Sequence, residues 1–376
     1  MAEIKRRELL GAGMALGLGA AATGSLAQSA PPLKQSPGVL TTPVPGSVEM
    51  KASVNSHTQP SSVDLNYKPR RINKVIELWE DKQPIYYNGL FSGMGPGVDS
   101  YAMGIQKSQT YEDLIDVEFE HGALDFPGLR EFMRGLADGG PTKSGHRTPA
   151  VYVTLPIIGL SANYAEANTW LFSQALDCGV HGFSICHAQK TEAVKVIMQQ
   201  GMRYPFERPN LPKLDYRGIR GSSGEFACQV WGVNINQYCR KADLWPYNPE
   251  GEIITGVKIE DTYADQEAAT TLALPGVGMA EWGPGDHSYW VSGLSIMNDD
   301  GTRTANWMRS PEMVKIRTTV RDLCHKNGVH FLNLGTSDPS DPDYVITQIK
   351  DGTMVMESPE EAAIIGREYT KRKMPV

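Results

Sequence analysis

Residues 257–286 constrain the fold most narrowly, because they read as strand, helix, strand with an acid after each strand. The first strand ends VKIE, which places Glu260 last, and the second runs into EWGPGD, which ends at Asp286. A helix-like run over residues 263–274 lies between them and is closed by a Pro-Gly pair. Strands joined by a single helix run parallel in a sheet, so both carboxylates are expected at the same sheet edge.

Two carboxylates at neighbouring strand ends are the kind of ligand that Mg²⁺ or Mn²⁺ prefers. An acid at a strand end also commonly caps the next helix or pairs with a lysine, and for either residue alone that alternative stays open. The Gly-Pro-Gly turn formed by Gly283, Pro284 and Gly285 immediately before Asp286 favours a metal site made by both acids.

From residue 71 onward, β-branched or aromatic runs alternate with amphipathic ones. The strand candidates are residues 84–91, 116–120, 150–155, 182–186, 253–260, 276–282, 330–334 and 354–357. The helix candidates are residues 129–137, 168–178, 191–200, 262–274, 313–326, 344–350 and 359–373. This alternation predicts an α/β fold, a (β/α)₈ TIM barrel, over residues 71–376. A doubly wound open sheet is the alternative, but no G-x-G-x-x-G follows the first strand. Residues 204–245 and 285–309 are long irregular insertions of the kind that form binding loops or subunit contacts.

The N-terminus has the features of an export signal. Residues 1–27 combine the pair Arg6 and Arg7 with a Gly/Ala-rich apolar stretch and a small-residue cleavage site ending at Ala27. The paired arginines indicate twin-arginine export and a periplasmic location; an amphipathic leader is the alternative. Residues 28–70 are rich in Pro, Ser, Thr and Gln and read as a linker or arm.

Composition excludes several classes of function. The net charge of −7 gives no electrostatic support for nucleic-acid binding. No apolar run reaches the roughly 18 residues that a membrane span requires. The five cysteines fit neither zinc spacing nor a redox motif, and no disulfide framework is expected.

The carboxyl ends of the other predicted strands carry further polar residues. Glu118, Glu120 and His121 follow the second strand, Thr154 lies near the end of the third, and His187 follows the fourth. A single strand-end histidine is more often structural than catalytic. His121 is different, because it lies beside two acids on the edge that also collects Glu260, and it is a candidate general base near neutral pH.

Five short motifs, taken together and in order, resemble those of the HpcH/HpaI aldolase family, the metal-dependent pyruvate aldolases. They are EFEH at residues 118–121, LDCG at 176–179, YRGIRG at 216–221, VKIE at 257–260 and GPGDHS at 283–288. The matching stretch runs from about residue 72 to residue 293. Each motif alone is weak, but five in the same order form a specific signal.

The resemblance implies a metal-dependent carbon–carbon lyase. Glu260 and Asp286 would bind Mg²⁺, Mn²⁺ or Co²⁺, and the metal would hold a small 2-oxo acid and stabilise its enolate. His121, oriented by Asp177, would move the proton. A hydroxy-oxo acid would then be cleaved to a pyruvate-like acid and an aldehyde. The substrate-binding residues would be Arg220, His187, Gly283, Pro284 and Gly285. The resemblance also implies a homo-oligomer, a hexamer.

Three positions depart from the family pattern. Thr154 stands where the family has an arginine that contacts the enolate oxygen, and Lys258 stands where it has a glutamine. Lys258 would supply the positive charge that Thr154 lacks, and pairing with Glu260 is the alternative for this lysine; both Thr154 and Lys258 are candidate catalytic residues. His187 replaces an apolar residue. These departures keep two alternatives open: a hydrolase or isomerase that uses the same barrel and metal, and an exported acid-binding module without turnover.

Overall fold

The computed structural model describes residues 57–95, 97–293, 307–334 and 341–376, which belong to a compact unit spanning Val54–Val376. The predicted signal peptide, residues 1–27, and the first part of the predicted arm lie outside the described residues. No helix in these ranges is long and apolar enough to cross a bilayer.

All eight predicted strands are present, and every strand pair is parallel. The strands are β1 Ile85–Tyr87, β2 Leu90–Phe91, β3 Leu114–Glu118, β4 Ala150–Ile158, β5 Gly182–Cys186, β6 Leu244–Trp245, β7 Ile253–Lys258, β8 Val277–Glu281, β9 His330–Asn333 and β10 Thr353–Glu357. The predicted first strand is divided into β1 and β2, and β6 was not predicted. The strands are short apolar runs because a parallel sheet is buried on both faces.

Helices follow most strands. They are α1 Lys74–Glu80, α2 Ser100–Lys107, α3 Phe126–Gly139, α4 Ala162–Ala167, α5 Thr169–Asp177, α6 Thr191–Lys195, α7 Glu225–Trp231, α8 Ile235–Lys241, α9 Thr262–Thr271, α10 Pro284–Ser292, α11 Pro311–Asn327, α12 Pro342–Lys350 and α13 Glu360–Tyr369. A π-helical turn, Val196–Gly201, extends α6. The predicted irregular insertion at residues 204–245 contains α7, α8 and β6, which corrects that part of the prediction. Asn234 and Gln237 form a capping box at the start of α8.

The sheet is curled, and its two edge strands, β1 and β2, follow each other directly in the chain. The strand order is β1-β10-β9-β8-β7-β5-β4-β3-β2, with β6 paired to β7. Only Asn88 and Gly89 separate β1 from β2, yet β1 pairs with β10 and β2 pairs with β3. The predicted α/β class with a parallel sheet is therefore confirmed, and the arrangement is consistent with a TIM-like barrel.

Side chains inside the curled sheet form an apolar layer below a charged one. On β7, Ile254 is apolar, and Lys258, two repeats of the pleat further along the same face, is charged. On β10, Val355 is apolar, and Glu357, one repeat further along, is charged. Outside the sheet, α3 buries an apolar stripe with helical spacing that includes Leu129, Phe132, Met133 and Leu136. The apolar layers hold the fold together, and the charged layer lies at the carboxyl ends of the strands.

The last part of the predicted arm, residues 57–70, packs against the C-terminal segment. The side chain of Gln59 hydrogen-bonds both backbone groups of Val376. The amide of Asp64 donates to the carbonyl of Lys373 at 2.8 Å. This part of the arm is therefore an ordered segment bound to the end of the same chain.

Candidate metal centre at the carboxyl ends of the strands

Glu260 and Asp286 lie close together, as expected from their positions after neighbouring strands. Glu260 follows β7 by two residues and is buried, whereas Asp286 is half-buried in the first turn of α10. His187, which follows β5, joins them. One ligand atom from each of the three side chains lies within 4.8 Å of the others. Two carboxylates and an imidazole on three strand ends fit a divalent cation.

Backbone geometry and a second acid hold His187 against Glu260. His187 has a positive φ of 45°, and its amide donates to Oε1 of Glu260 at 2.8 Å. Its Nδ1 lies 2.8 Å from Oδ2 of Asp261, which leaves Nε2 facing Glu260 at 3.9 Å. Burial opposes the charged ring, but the hydrogen bond to Asp261 and the charge of Glu260 raise the pKa of His187. Asp261 thus orients a candidate ligand in the way that outer carboxylates orient metal-bound histidines.

The glycine turn before α10 brings its backbone against Glu260. Gly283 has a left-handed conformation with φ 48°. A Cβ at this position would lie 2.1 Å from Cβ of Glu260, so only glycine fits. Pro284 occupies the first turn of α10, where its missing N–H costs nothing. Gly283 and Pro284 were predicted as substrate-binding residues; in the structure Gly283 packs against Glu260, and Pro284 begins the helix that carries Asp286. At Gly285 a Cβ would have no atom of the described part of the chain within 4 Å.

Lys258 lies in the middle of the charged layer. Its Nζ is 2.9 Å from Oε2 of Glu120 and 3.9 Å from Oε2 of Glu260. Burial opposes its charge, but the carboxylates of Glu260 and Glu281 hold the pKa of Lys258 well above its usual value. Burial raises the pKa of Glu260, with Lys258 acting in the opposite direction. The lysine is thus a fixed ammonium ion shared between two acids.

Several acidic side chains lie with the Lys258 ammonium group on the inner side of the strand ends. They are Asp116, Glu118, Glu120, Glu260, Glu281 and Glu357. Burial raises the pKa of Glu281 to about 7, with Lys258 opposing and Glu357 adding to the rise. Sequence reasoning missed the contributions of Asp116 and Glu357, although both lie at or near the carboxyl end of a strand, the signal that identified Glu260. This excess of carboxylates favours an added cation.

His121 lies at the exposed side of the same charged layer. Its side chain is 57% exposed, and its Nε2 is 3.7 Å from Oε2 of Glu120. Its amide donates to Oε1 of Glu118 at 2.9 Å, while Oε2 of Glu118 is buried and has no hydrogen-bond partner among the described residues. A continuous chain of ionisable groups runs from His121 through Glu120 and Lys258 to Glu260.

The hydroxyl of Thr154, a candidate catalytic residue, makes a hydrogen bond inside the sheet. Thr154 is fully buried, and its Oγ1 donates to Oδ1 of Asp116 at 3.0 Å. A hydroxyl has one proton to donate, and in this arrangement it is directed at Asp116. Burial raises the pKa of Asp116 to about 8, with Lys258 opposing. Lys258, whose pKa is held well above its usual value, is therefore the candidate for the missing positive group.

Asp177 and Arg220 lie at the opposite end of the strands, which corrects their expected places in the site. Asp177 ends α5 five residues before β5 begins, so it lies at the amino end of the sheet, away from His121. Its Oδ1 is 3.4 Å from Nη2 of Arg220. The buried guanidinium of Arg220 packs over the ring of Tyr204 at 4.3 Å. One chain therefore does not bring Asp177 to His121 or Arg220 to the candidate metal centre.

Comparison with solved structures agrees with this architecture. An HpcH/HpaI aldolase from Desulfitobacterium hafniense DCB-2 is 17% identical with a TM-score of 0.54, and the match covers 77% of this chain and 91% of that one. An HpcH/HpaI aldolase/citrate lyase family protein from Burkholderia cenocepacia J2315 is 18% identical with a TM-score of 0.55, covering 78% and 95%. The chain shares the fold of the HpcH/HpaI aldolases. Macrophomate synthase, at 18% identity and a TM-score of 0.51, covers 78% of this chain and 87% of its own.

These neighbours confirm, at the level of the fold, the resemblance drawn from the five motifs. At 17–18% identity, however, they do not determine the reaction. No protein-family model and no curated protein sequence matches the chain.

Proposed function

We propose that this protein is a metal-dependent carbon–carbon lyase of the HpcH/HpaI aldolase type. It cleaves a hydroxy-oxo acid to a pyruvate-like 2-oxo acid and an aldehyde. The observation that carries the proposal is the group formed by Glu260, Asp286 and His187, whose ligand atoms lie within 4.8 Å of one another. Mg²⁺, Mn²⁺ or Co²⁺ bound there would supply Lewis-acid stabilisation of an enolate.

The residues of the chain have separate tasks. The Lys258 ammonium adds a fixed positive charge near the site where negative charge develops, the task given to an arginine in the family pattern. His121 is exposed and lies beside Glu120. It accepts the proton of the 4-hydroxyl group as the bond between carbons 3 and 4 breaks, and it then gives that proton to carbon 3 of the enolate. The Gly283 turn fixes the position of Glu260. Together these residues bind the acid, orient it and move one proton.

We further propose that the mature protein acts in the periplasm as a homo-oligomer. The twin-arginine-like leader supports export after folding. The position of Asp177 also supports assembly. Asp177 lies at the opposite end of its own sheet from His121, so the histidine that it orients is the His121 of a second copy.

A second candidate is a hydrolase or isomerase that uses the same centre. The hydrogen bond from Thr154 to Asp116 favours it, because the aldolase pattern has a charged arginine at this position. Both reactions need the same cation, and they differ in whether a carbon–carbon bond breaks.

A coupled assay for pyruvate release tests the proposal. The metal-stripped protein receives a panel of 4-hydroxy-2-oxo acids with Mg²⁺, Mn²⁺ or Co²⁺. We expect metal-dependent release that Glu260→Ala abolishes. Glu250→Ala is the matched control, because Glu250 is an exposed acid at the other end of the same strand. Metal binding without release from any substrate would refute the aldolase assignment and favour the second candidate.

A further inference from the structure

Two aromatic side chains, Trp290 and Tyr263, follow the two candidate acidic ligands by about one helical turn. Trp290 is four residues after Asp286 on α10, so both side chains lie on the same face of that helix. Tyr263 is three residues after Glu260, at the start of α9. The two rings meet edge to face with their centroids 5.7 Å apart. The arrangement that brings the acids together therefore also brings these two rings together.

This aromatic pair is exposed and borders the candidate metal centre. Tyr263 is 50% exposed and Trp290 is 44% exposed. The ring of His187 connects the pair to the centre, because its centroid is 6.3 Å from that of Trp290 and its Nε2 is 3.9 Å from Glu260. Trp282, which directly follows β8, is fully buried and therefore does not belong to this exposed pair.

We infer that Trp290 and Tyr263 form a subsite for an aromatic group on the substrate. The inference rests on the proposed function and specifies its substrate class: 2-oxo acids whose carbon 4 carries an aromatic or similarly large apolar substituent. The acid end binds at the metal centre, and the substituent extends past His187 to the exposed rings. Tryptophan and tyrosine provide a large rigid contact surface, and an edge or stacking contact with an aromatic group adds to simple burial.

A matched pair of uncleavable ligands tests the subsite independently of turnover. Neither 4-phenyl-2-oxobutanoate nor 2-oxopentanoate has a 4-hydroxyl group, and they differ only in a phenyl or methyl group on carbon 4. Their dissociation constants would be measured by calorimetry on the full chain loaded with Mn²⁺. We expect the phenyl compound to bind about tenfold more tightly. Trp290→Ala should remove most of this preference while leaving Mn²⁺ affinity unchanged, and Trp290→Phe should restore part of it.

Trp170→Ala is the matched control, because Trp170 is an exposed tryptophan on α5 that belongs to neither the candidate metal centre nor the aromatic pair, and this variant should keep the full preference. Equal, metal-dependent binding of both acids would overturn the subsite but leave the proposed function standing. Binding of neither acid would overturn both. Dissociation of an oligomer in Trp290→Ala, with the ligand preference intact, would show that the aromatic pair is a subunit contact and would also refute the inference.

Discussion

Replacing Gly283 with alanine tests whether the turn before α10 positions the candidate metal centre. The residue has φ 48°, a left-handed conformation that costs an alanine about 1–2 kcal/mol. The new methyl group would lie 2.1 Å from Cβ of Glu260. That atom is next to the backbone and cannot rotate away, so Glu260 must move. Displacing a ligand or its support typically costs 10–100-fold in metal affinity.

The assay is Mn²⁺ binding by calorimetry, together with thermal unfolding of the metal-free protein. We expect Gly283→Ala to weaken Mn²⁺ binding at least about tenfold and to lower the stability by about 1–2 kcal/mol. Gly285→Ala, two residues away, is the control, because its Cβ would meet open space. Mn²⁺ affinity in Gly283→Ala equal to that of the wild type would refute the reasoning that this turn fixes Glu260.

Three further predictions concern charges around the site and in the core. Asp261→Asn keeps the helix cap but removes the charge that raises the pKa of His187, so NMR titration of the metal-free protein should show that pKa falling. Asp113→Asn leaves Arg372 buried without its carboxylate, which should lower the free energy of unfolding by about 3–5 kcal/mol in a urea titration. Hydrogen bonds overcome burial and lower the pKa of Glu77 from 4.5 to about 2. The ionised Glu77 side chain therefore stabilises the fold fully above pH 4.5, and this contribution is lost as the pH falls through 2. In Glu77→Gln, the urea midpoint of unfolding should decrease less between pH 5 and pH 2 than it does in the wild type.

The alternation of strands and helices could be predicted from the sequence. Buried parallel strands are short apolar runs, and such runs are visible in the local sequence pattern. Val277–Glu281, for example, lies inside the range predicted for its strand. The short helices α7 and α8 were missed because they lie in a segment without a long periodic pattern. The strand-end rule located Glu260, Asp286 and His187, since it depends only on chain direction.

Sequence reasoning failed where a residue's role depends on packing across the sheet. The motif containing Asp177 identified the residue, but its position just before β5 places it at the amino end of the sheet, opposite to His121. The donor hydrogen of Thr154 is taken by Asp116, a neighbour on the adjacent strand β3 that is fixed by strand register. The hydrogen bond of Thr154 cannot be read without the strand pairing, whereas the place of Asp177 follows from the order of helix and strand along the chain.

The most direct test of the account is the location of a bound cation. Crystals grown with Mn²⁺ would be measured by anomalous diffraction. We predict a single strong peak on the candidate centre, at about 2.0–2.2 Å from carboxylate oxygens of Glu260 and Asp286, and its loss in Glu260→Ala. A peak elsewhere, or saturating Mn²⁺ with no peak between these two acids, would contradict the central claim that they form the metal site of this protein.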